Sequence, residues 1–311
     1  MSYPIDKKLV IAVSSSALFD LRESNSIFEE YGPKSYKQFQ EDNLDKPLGK
    51  GVVFPFIKRF LNINSRFSEQ KPVEVILLSR NSAATGKRVF RSIQAYGLDI
   101  TRAAFVEGKS PFEYVPAFNA SLFLSANEND VHNAIGAGFP AGVVMPGKSV
   151  NDEGSEELRI AFDFDGVIAD DEAEAIFKEG GLSVFQAYEV MNSHIPHNPG
   201  LLADLFKKLS FLQQLEDEEI EKNRHYKRVI RTAIVTARNA PSHERVITTL
   251  ESWGVSANET FFLGGMSKDR ILSCFKPHMF FDDQRTHLDS SAGNIPMVHI
   301  PFGVANTQAL E

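Results

Sequence analysis

The sequence predicts an α/β fold: two domains, each built on a parallel sheet, joined near the middle of the chain. Three observations carry this. Short apolar runs that end in Ser, Gly or Asp alternate with stretches of helical spacing, which is how buried parallel strands and their crossovers read. A polar, acidic stretch from Pro146 to Glu157 interrupts the pattern. Beyond it the pattern starts again, with glycines and prolines in the same register.

In chain order, Leu9–Val13 is the first expected strand, closed by Ser14, Ser15 and Ser16. Helical stretches follow near Ile27–Phe39 and Phe54–Leu61, separated by the breaker around Pro47, Gly49 and Gly51. Val73–Leu78 reads as a strand and Gly86–Tyr96 as a helix. Ala103–Val106 and Ala120–Leu124 are strands, Asp130–Ala137 is a helix, and Ala141–Met145 closes the half. The expected division is a first half over 1–148, a linker over 149–157 and a second half over 158–311.

Shifting the sequence onto itself tests the repeat. With Ala12 placed on Ala161, Ile27-Phe28 meets Ile176-Phe177, Gly32 meets Gly181, Pro47 meets Pro196 and Gly51 meets Gly200. After a gap the register resumes at a different shift, where Gly97 meets Gly254, Gly108 meets Gly265 and Ser110 meets Ser267. Chance identities at one shift run at roughly one in fifteen on average residue usage, and the turn residues exceed that. The reading is an internal duplication.

The halves differ in chemistry. Asp163 and Asp165 end the strand at Ile160–Phe162 and, two apart, leave an extended backbone on one face. Such carboxylates repel unless a cation or a shared proton intervenes, so the pair suits a Mg²⁺ site or acid/base work. The strand Arg231–Val235 delivers Thr236-Ala237-Arg238, whose hydroxyl and backbone N–H groups suit a phosphate oxygen before the helix Ser242–Trp253. Thr260–Leu263 leads through Gly264 and Gly265 to Lys268, at the entry of the next helix. Pro277–Phe281 ends in Asp282-Asp283, hard oxygen ligands suited to Mg²⁺. In the first half Ser14 and Ser16 stand opposite the two aspartates, Leu78 opposite Thr236, Pro111 opposite Lys268, and Ser125-Ala126 opposite Asp282-Asp283.

Composition narrows the partners. A formal charge of −8 and pI near 5.6 disfavour a nucleic-acid polymer or an anionic membrane surface. The single Cys274 excludes a disulfide within the chain and a cysteine-based metal cluster. The start carries no leader pattern and no apolar run reaches spanning length, so the cytoplasm is the default expectation. A homo-oligomer is compatible with the sequence.

The ordered set Asp-x-Asp, Thr, Lys, Asp-Asp resembles the haloacid dehalogenase-like phosphatases. Together with Ala12–Asp20, Tyr96-Gly97-Leu98, Ser110-Pro111, Leu122–Ala126, Val235–Arg238 and Phe280–Asp283, the chain is similar to the cytosolic 5′-nucleotidase I family over nearly its whole length. Members of that family carry Gly between the two aspartates, where this chain has Phe164.

The resemblance implies two Rossmann-like domains of haloacid dehalogenase type, each with a helical cap insertion, the second cap spanning about 170–226. It also implies Mg²⁺-dependent hydrolysis of nucleoside 5′-monophosphates, with Asp163 as nucleophile and Asp165 as acid and base. Thr236, Ala237, Arg238 and Lys268 would hold the phosphoryl group, and Asp163, Asp165, Asp282 and Asp283 the metal. The acidic run Glu216–Glu221 is expected to be a solvated face. A phosphatase for sugar phosphates remains the alternative. A phospho-receiver fits less well, because its acidic pair precedes the phosphorylated aspartate.

Overall fold

A computed structural model describes residues 3–147, 154–289 and 295–306. The chain divides into two compact units, Met1–Ser149 and Val150–Glu311. Of the expected linker, residues 149–153 lie outside the described residues.

In the first unit β1 (Leu9–Val13) is central. A two-stranded ribbon, β2 (Phe19–Asp20) and β3 (Gly49–Lys50), flanks the helical segment that follows it. The main sheet continues with β4 (Val73–Ser79), β5 (Arg102–Phe105), β6 (Ala120–Ser125) and β7 (Ala141–Val144). Their order is β5-β4-β1-β6-β7, all parallel. The second unit has β8 (Leu158–Phe162), β9 (Ile230–Thr236), β10 (Glu259–Phe262), β11 (Met279–Asp282) and β12 (Met297–His299), in the order β10-β9-β8-β11-β12, again all parallel. Both units are therefore α/β with a parallel sheet and the same strand order.

The central strands β1, β4 and β8 are buried at every residue, as an all-parallel strand covered on both faces must be. That is why they read as mainly apolar runs, with Glu74 in β4 and Arg159 in β8 the charged exceptions. Under the carboxyl ends of β8 and β11, Phe162 and Phe281 stack with centroids 5.1 Å apart, and Phe206 meets Phe162 edge-on at 5.5 Å. Burying each such ring stabilises by about 1.5–3 kcal/mol. The aromatic layer gives the polar loops above it a rigid floor.

Between β8 and β9 run two long helical segments, Glu172–Met191 and Ala203–Lys222. The first bends at Gly181 (φ 70°, ψ −174°). The corresponding segment of the first unit, Arg22–Asp42, bends at Gly32 (φ 77°, ψ −176°). These segments are longer than the helical spacing of the sequence indicates, because the glycine bends interrupt the period. The short strand Met297–His299 was not expected either.

One expectation is overturned. Glu216 is fully buried, not solvated: its carboxylate accepts Val229 N–H at 2.7 Å, Ile230 N–H at 3.3 Å and the Tyr226 hydroxyl at 3.1 Å. It satisfies the free donors at the start of β9, where an unpaired buried N–H would be costly. Asp217 and Glu218 beside it are exposed.

Hydrogen bonds also correct the pairing of the halves by one residue. Thr236 Oγ1 accepts Arg238 N–H at 3.2 Å, and Ser79 Oγ accepts Asn81 N–H at 3.2 Å. The counterparts of Thr236 and Arg238 are thus Ser79 and Asn81, and Leu78 and Arg80 are not. Asp163 N–H to Phe281 carbonyl and Ser14 N–H to Leu124 carbonyl, both 2.8 Å, match as the sequence shift expects.

Candidate active site

In the second unit the chain leaves β8 for β9 and β10 on one side and returns to β11 and β12 on the other. Strand order reverses at β8, so a crevice opens beyond its carboxyl end. Asp163 follows β8, Thr236 and Asp282 end its two neighbours, and Lys268 precedes the helix Asp269–Phe275.

Local geometry explains how the Asp-x-Asp-Gly turn forms. Asp163 keeps the sheet hydrogen bond to Phe281, and its Oδ1 accepts Phe164 N–H at 2.7 Å. Gly166 then turns the chain at φ 69°, a left-handed conformation that favours glycine. A Cβ there would lie 2.6 Å from Asp283 Oδ2, so the absence of a side chain is also what admits that carboxylate.

Lys268 binds two carboxylates at once. Its Nζ donates to Asp163 Oδ2 and to Asp282 Oδ2, both at 2.6 Å, and all three side chains are buried. Asp282 is further held by Gln284 N–H at 2.8 Å and His287 Nδ1 at 3.2 Å. Asp283 is buried beside them, and neither of its carboxylate oxygens has a hydrogen-bond partner.

The electrostatics follow from this count. Burial pushes Asp163 up to about 7 against the pull of Lys268, with Asp282 adding to the rise. Burial, then Asp163 and Asp282, push Asp283 up to about 10. Asp282 goes the other way: burial opposes its charge, but Lys268 and His287 hold it below the ordinary range. Burial likewise opposes the charge of Lys268, and Asp163 and Asp282 outweigh it and raise the ammonium.

Two of three buried aspartates share one ammonium, and both carboxylate oxygens of the third, Asp283, are orphaned. A hard divalent cation fits that donor set. Asp163, Asp282 and His287 each bring a ligand atom within 4.8 Å of the others. Asp170, Glu172 and His197 converge similarly. There, however, Arg245 already pairs with Glu172 at 3.1 Å and Arg238 contacts His197 at 3.1 Å, so two guanidinium groups balance the charge.

Asp165 and Arg238 form a two-pronged pair. Arg238 Nε reaches Asp165 Oδ2 at 2.8 Å and Nη2 reaches Oδ1 at 2.7 Å. Arg238 Nη1 donates to Glu189 and to the Ser242 carbonyl at 3.2 Å. Every nitrogen of this buried guanidinium therefore has a protein partner, whereas the sequence points it at a phosphate. Ala237 is exposed in the same turn, and Thr236 is buried.

Sequence reasoning missed Glu189, Arg245, His197, His287 and Glu174. Glu189 lies wholly inside, paired with Arg238 and, at 2.9 Å, with Arg245. Glu174 takes the Gln284 amide at 3.2 Å. Their only sequence signal was the register with the first half, where Glu189 falls on Gln40.

An open parallel sheet with its polar groups gathered at the strand ends is an α/β architecture whose ligands sit at the switch point. The chain belongs to the 5′-nucleotidase family, whose family model matches residues 1–307. It is 34% identical over 289 residues to cytosolic 5′-nucleotidase 1B of Homo sapiens, an alignment that covers 91% of this chain and 47% of that protein. The chain thus spans about half the length of that curated relative. No solved structure matches it. The family implies a divalent metal, in keeping with the carboxylates described above. No helix among the described residues is long and apolar enough to cross a membrane.

Proposed function

We propose that the chain hydrolyses nucleoside 5′-monophosphates to nucleoside and phosphate, with Asp163 as nucleophile. The observation that carries this reading is the buried Asp163–Lys268–Asp282 bridge at the strand ends. A carboxylate nucleophile must be ionised, and the Lys268 ammonium favours that form where burial opposes it.

An oxygen of Asp163 attacks the phosphorus in line. The bond from phosphorus to the ribose oxygen breaks as an aspartyl-phosphate forms. Asp165 gives the leaving oxygen a proton, then takes one from the water that attacks the aspartyl-phosphate. Phosphate leaves and Asp163 is restored. Thr236 and the backbone N–H of Ala237 hold phosphoryl oxygens, and Lys268 balances their charge. Mg²⁺ is the metal expected, held by Asp163, the Asp165 carbonyl, Asp282 and Asp283. When bound it offsets the repulsion between carboxylate and phosphate.

The common strand order, the paired bends at Gly32 and Gly181 and the matching turn hydrogen bonds support an internal duplication. On that reading the first unit is a non-catalytic copy. Ser14, Ser16 and Ser125 stand where the second unit has aspartates, and a lone hydroxyl is a poor ligand for a hard dication. Arg80, which follows β4 in that unit, is taken up by Asp130 at 2.6 Å. The helical segments between β8 and β9 serve as the cap.

Phosphate release with Mg²⁺ from a panel of nucleoside monophosphates and sugar phosphates tests this. Turnover confined to the nucleotides is expected. Turnover of sugar phosphates alone would replace the substrate class, and release from neither would refute the reading.

A further inference from the structure

Resting on that reading, one group is unexplained by the phosphoryl site. Glu189 has a side chain with no solvent exposure and binds two guanidinium groups. It lies on the helical segment Glu172–Met191, away from the strand ends that supply the reacting groups. Arg238 stands between Glu189 and Asp165, pairing with Asp165 through two parallel N–H donors. Such a fork sets the plane of a carboxylate as well as its position. Rings of Phe164 and Phe185 lie 5.4 and 5.3 Å from the guanidinium carbon and fix its faces.

Charge balance decides what Glu189 adds. Were Asp165 the sole anion on Arg238, turning toward the substrate would strand a buried cation, which is strongly unfavourable. Glu189 keeps Arg238 paired when Asp165 leaves. His197 Nε2, 3.3 Å from Glu189 and 3.1 Å from Arg238, locks the same corner.

The first unit offers an internal comparison. There Gln40 accepts from Arg88 at 3.2 Å, as Glu189 accepts from Arg245. Ser92 Oγ bonds Arg88 carbonyl and Leu48 N–H, as Thr249 Oγ1 bonds Arg245 carbonyl and His197 N–H. With the backbone thus aligned, the positions of Asp165, Arg238 and Glu189 carry Ser16, Asn81 and Gln40. All three charges are absent together where the nucleophile is absent, while the arginine that only braces the helix remains.

We propose that Glu189 is a positioning residue for the leaving-group step: it anchors Arg238, and through it sets and releases the Asp165 carboxylate. A merely structural role makes a different prediction, and the leaving group separates the two. A ribose oxygen needs a proton to depart, whereas the phenolate of p-nitrophenyl phosphate leaves without one. The ratio kcat/KM reports only steps up to that departure.

The experiment compares kcat/KM of wild type, Glu189→Gln and Arg238→Lys on a nucleoside monophosphate and on p-nitrophenyl phosphate, with Asp163→Asn as the blank. Acid help is commonly worth about 10²–10⁴-fold, so a loss of about 10–100-fold is expected on the nucleotide. On p-nitrophenyl phosphate the loss should stay within about 3-fold, since no acid is required there. Equal losses on both substrates, or none on either, would overturn the proposal. If Glu189→Gln gives no cooperative thermal transition, Arg238→Lys decides by the same two outcomes, since it keeps the charge and removes the fork. Wild-type protein that releases phosphate from neither substrate would sink the underlying phosphatase reading, and this proposal with it.

Discussion

Lys268 and Asp163, 105 positions apart in the chain, meet in a buried ion pair 2.6 Å long. The same ammonium reaches Asp282 at 2.6 Å, so one cation ties the end of β8 to the end of β11. Removing one partner of a buried pair is strongly destabilising, typically by about 3–5 kcal/mol, because the other charge is left uncompensated. Lys268→Met should therefore lower the thermal midpoint as well as the activity. Unchanged melting in that variant would mean the pair forms only weakly.

Asp163→Asn should behave differently. It removes the proposed nucleophile but relieves a site with more carboxylates than cations. Phosphate release should fall by more than about 10³-fold, in the range seen when a covalent nucleophile is deleted. Folding should survive, read as a cooperative melt near the wild-type temperature. More than a few per cent of residual turnover would reassign the nucleophile.

The orphaned carboxylate of Asp283 bears on the metal. A chelator should stop turnover and Mg²⁺ restore it, and Mg²⁺ should raise the wild-type melting temperature by mass action. Asp283→Asn replaces a carboxyl whose ionisation burial, Asp163 and Asp282 oppose in the metal-free site. In chelated buffer it should melt above wild type, and Mg²⁺ should then stabilise it less. Full activity in chelator would be incompatible with a metal at this crevice.

Gly166 can be separated from glycines that merely turn the chain. Gly166→Ala meets left-handed strain of about 1–2 kcal/mol and also drives a Cβ into Asp283. Gly254 has a similar φ of 65° with nothing within 4 Å of a would-be Cβ. Both alanine variants should lose stability, and only Gly166→Ala should lose most of its activity. Kinetics and melting of the pair check this.

Acid stability should report Glu189. Burial raises its carboxyl, but the His197 hydrogen bond and the charge of Arg238 outweigh that and hold it down at about 2. A depressed folded value stabilises above the unfolded value of 4.5, and the gain disappears as pH falls from there toward 2. At about 1.4 kcal/mol per unit the contribution is roughly 3 kcal/mol. Urea midpoints of wild type should fall across that window, and Glu189→Gln should remove much of the slope.

What was legible from the chain alone was local. The apolar runs marked the strands, because a parallel strand buried on both faces is mostly apolar. Asp163, Asp165, Thr236, Lys268, Asp282 and Asp283 stood out as an ordered set, each at a strand end or in the loop beyond it, although each alone reads as an ordinary turn or surface residue. Glycines and prolines in register marked the repeated turns, since those positions answer to backbone geometry and not to what packs around them.

The tertiary structure decided which charges are inside. Glu216 and Glu189 both sit in helices among other acids, and a helical carboxylate ordinarily reads as solvated. One turned inward to cap the donors of β9, and the other to hold two arginines, Arg238 from the turn after β9 and Arg245 from the helix His243–Ser252. Nothing in the helical period marks such a residue, because its partners lie outside its own helix, 10 to 14 positions on for Glu216 and 49 and 56 for Glu189. The same holds for Arg238: its strand-end position pointed to a phosphate, and only the folded chain turned it onto Asp165 and Glu189.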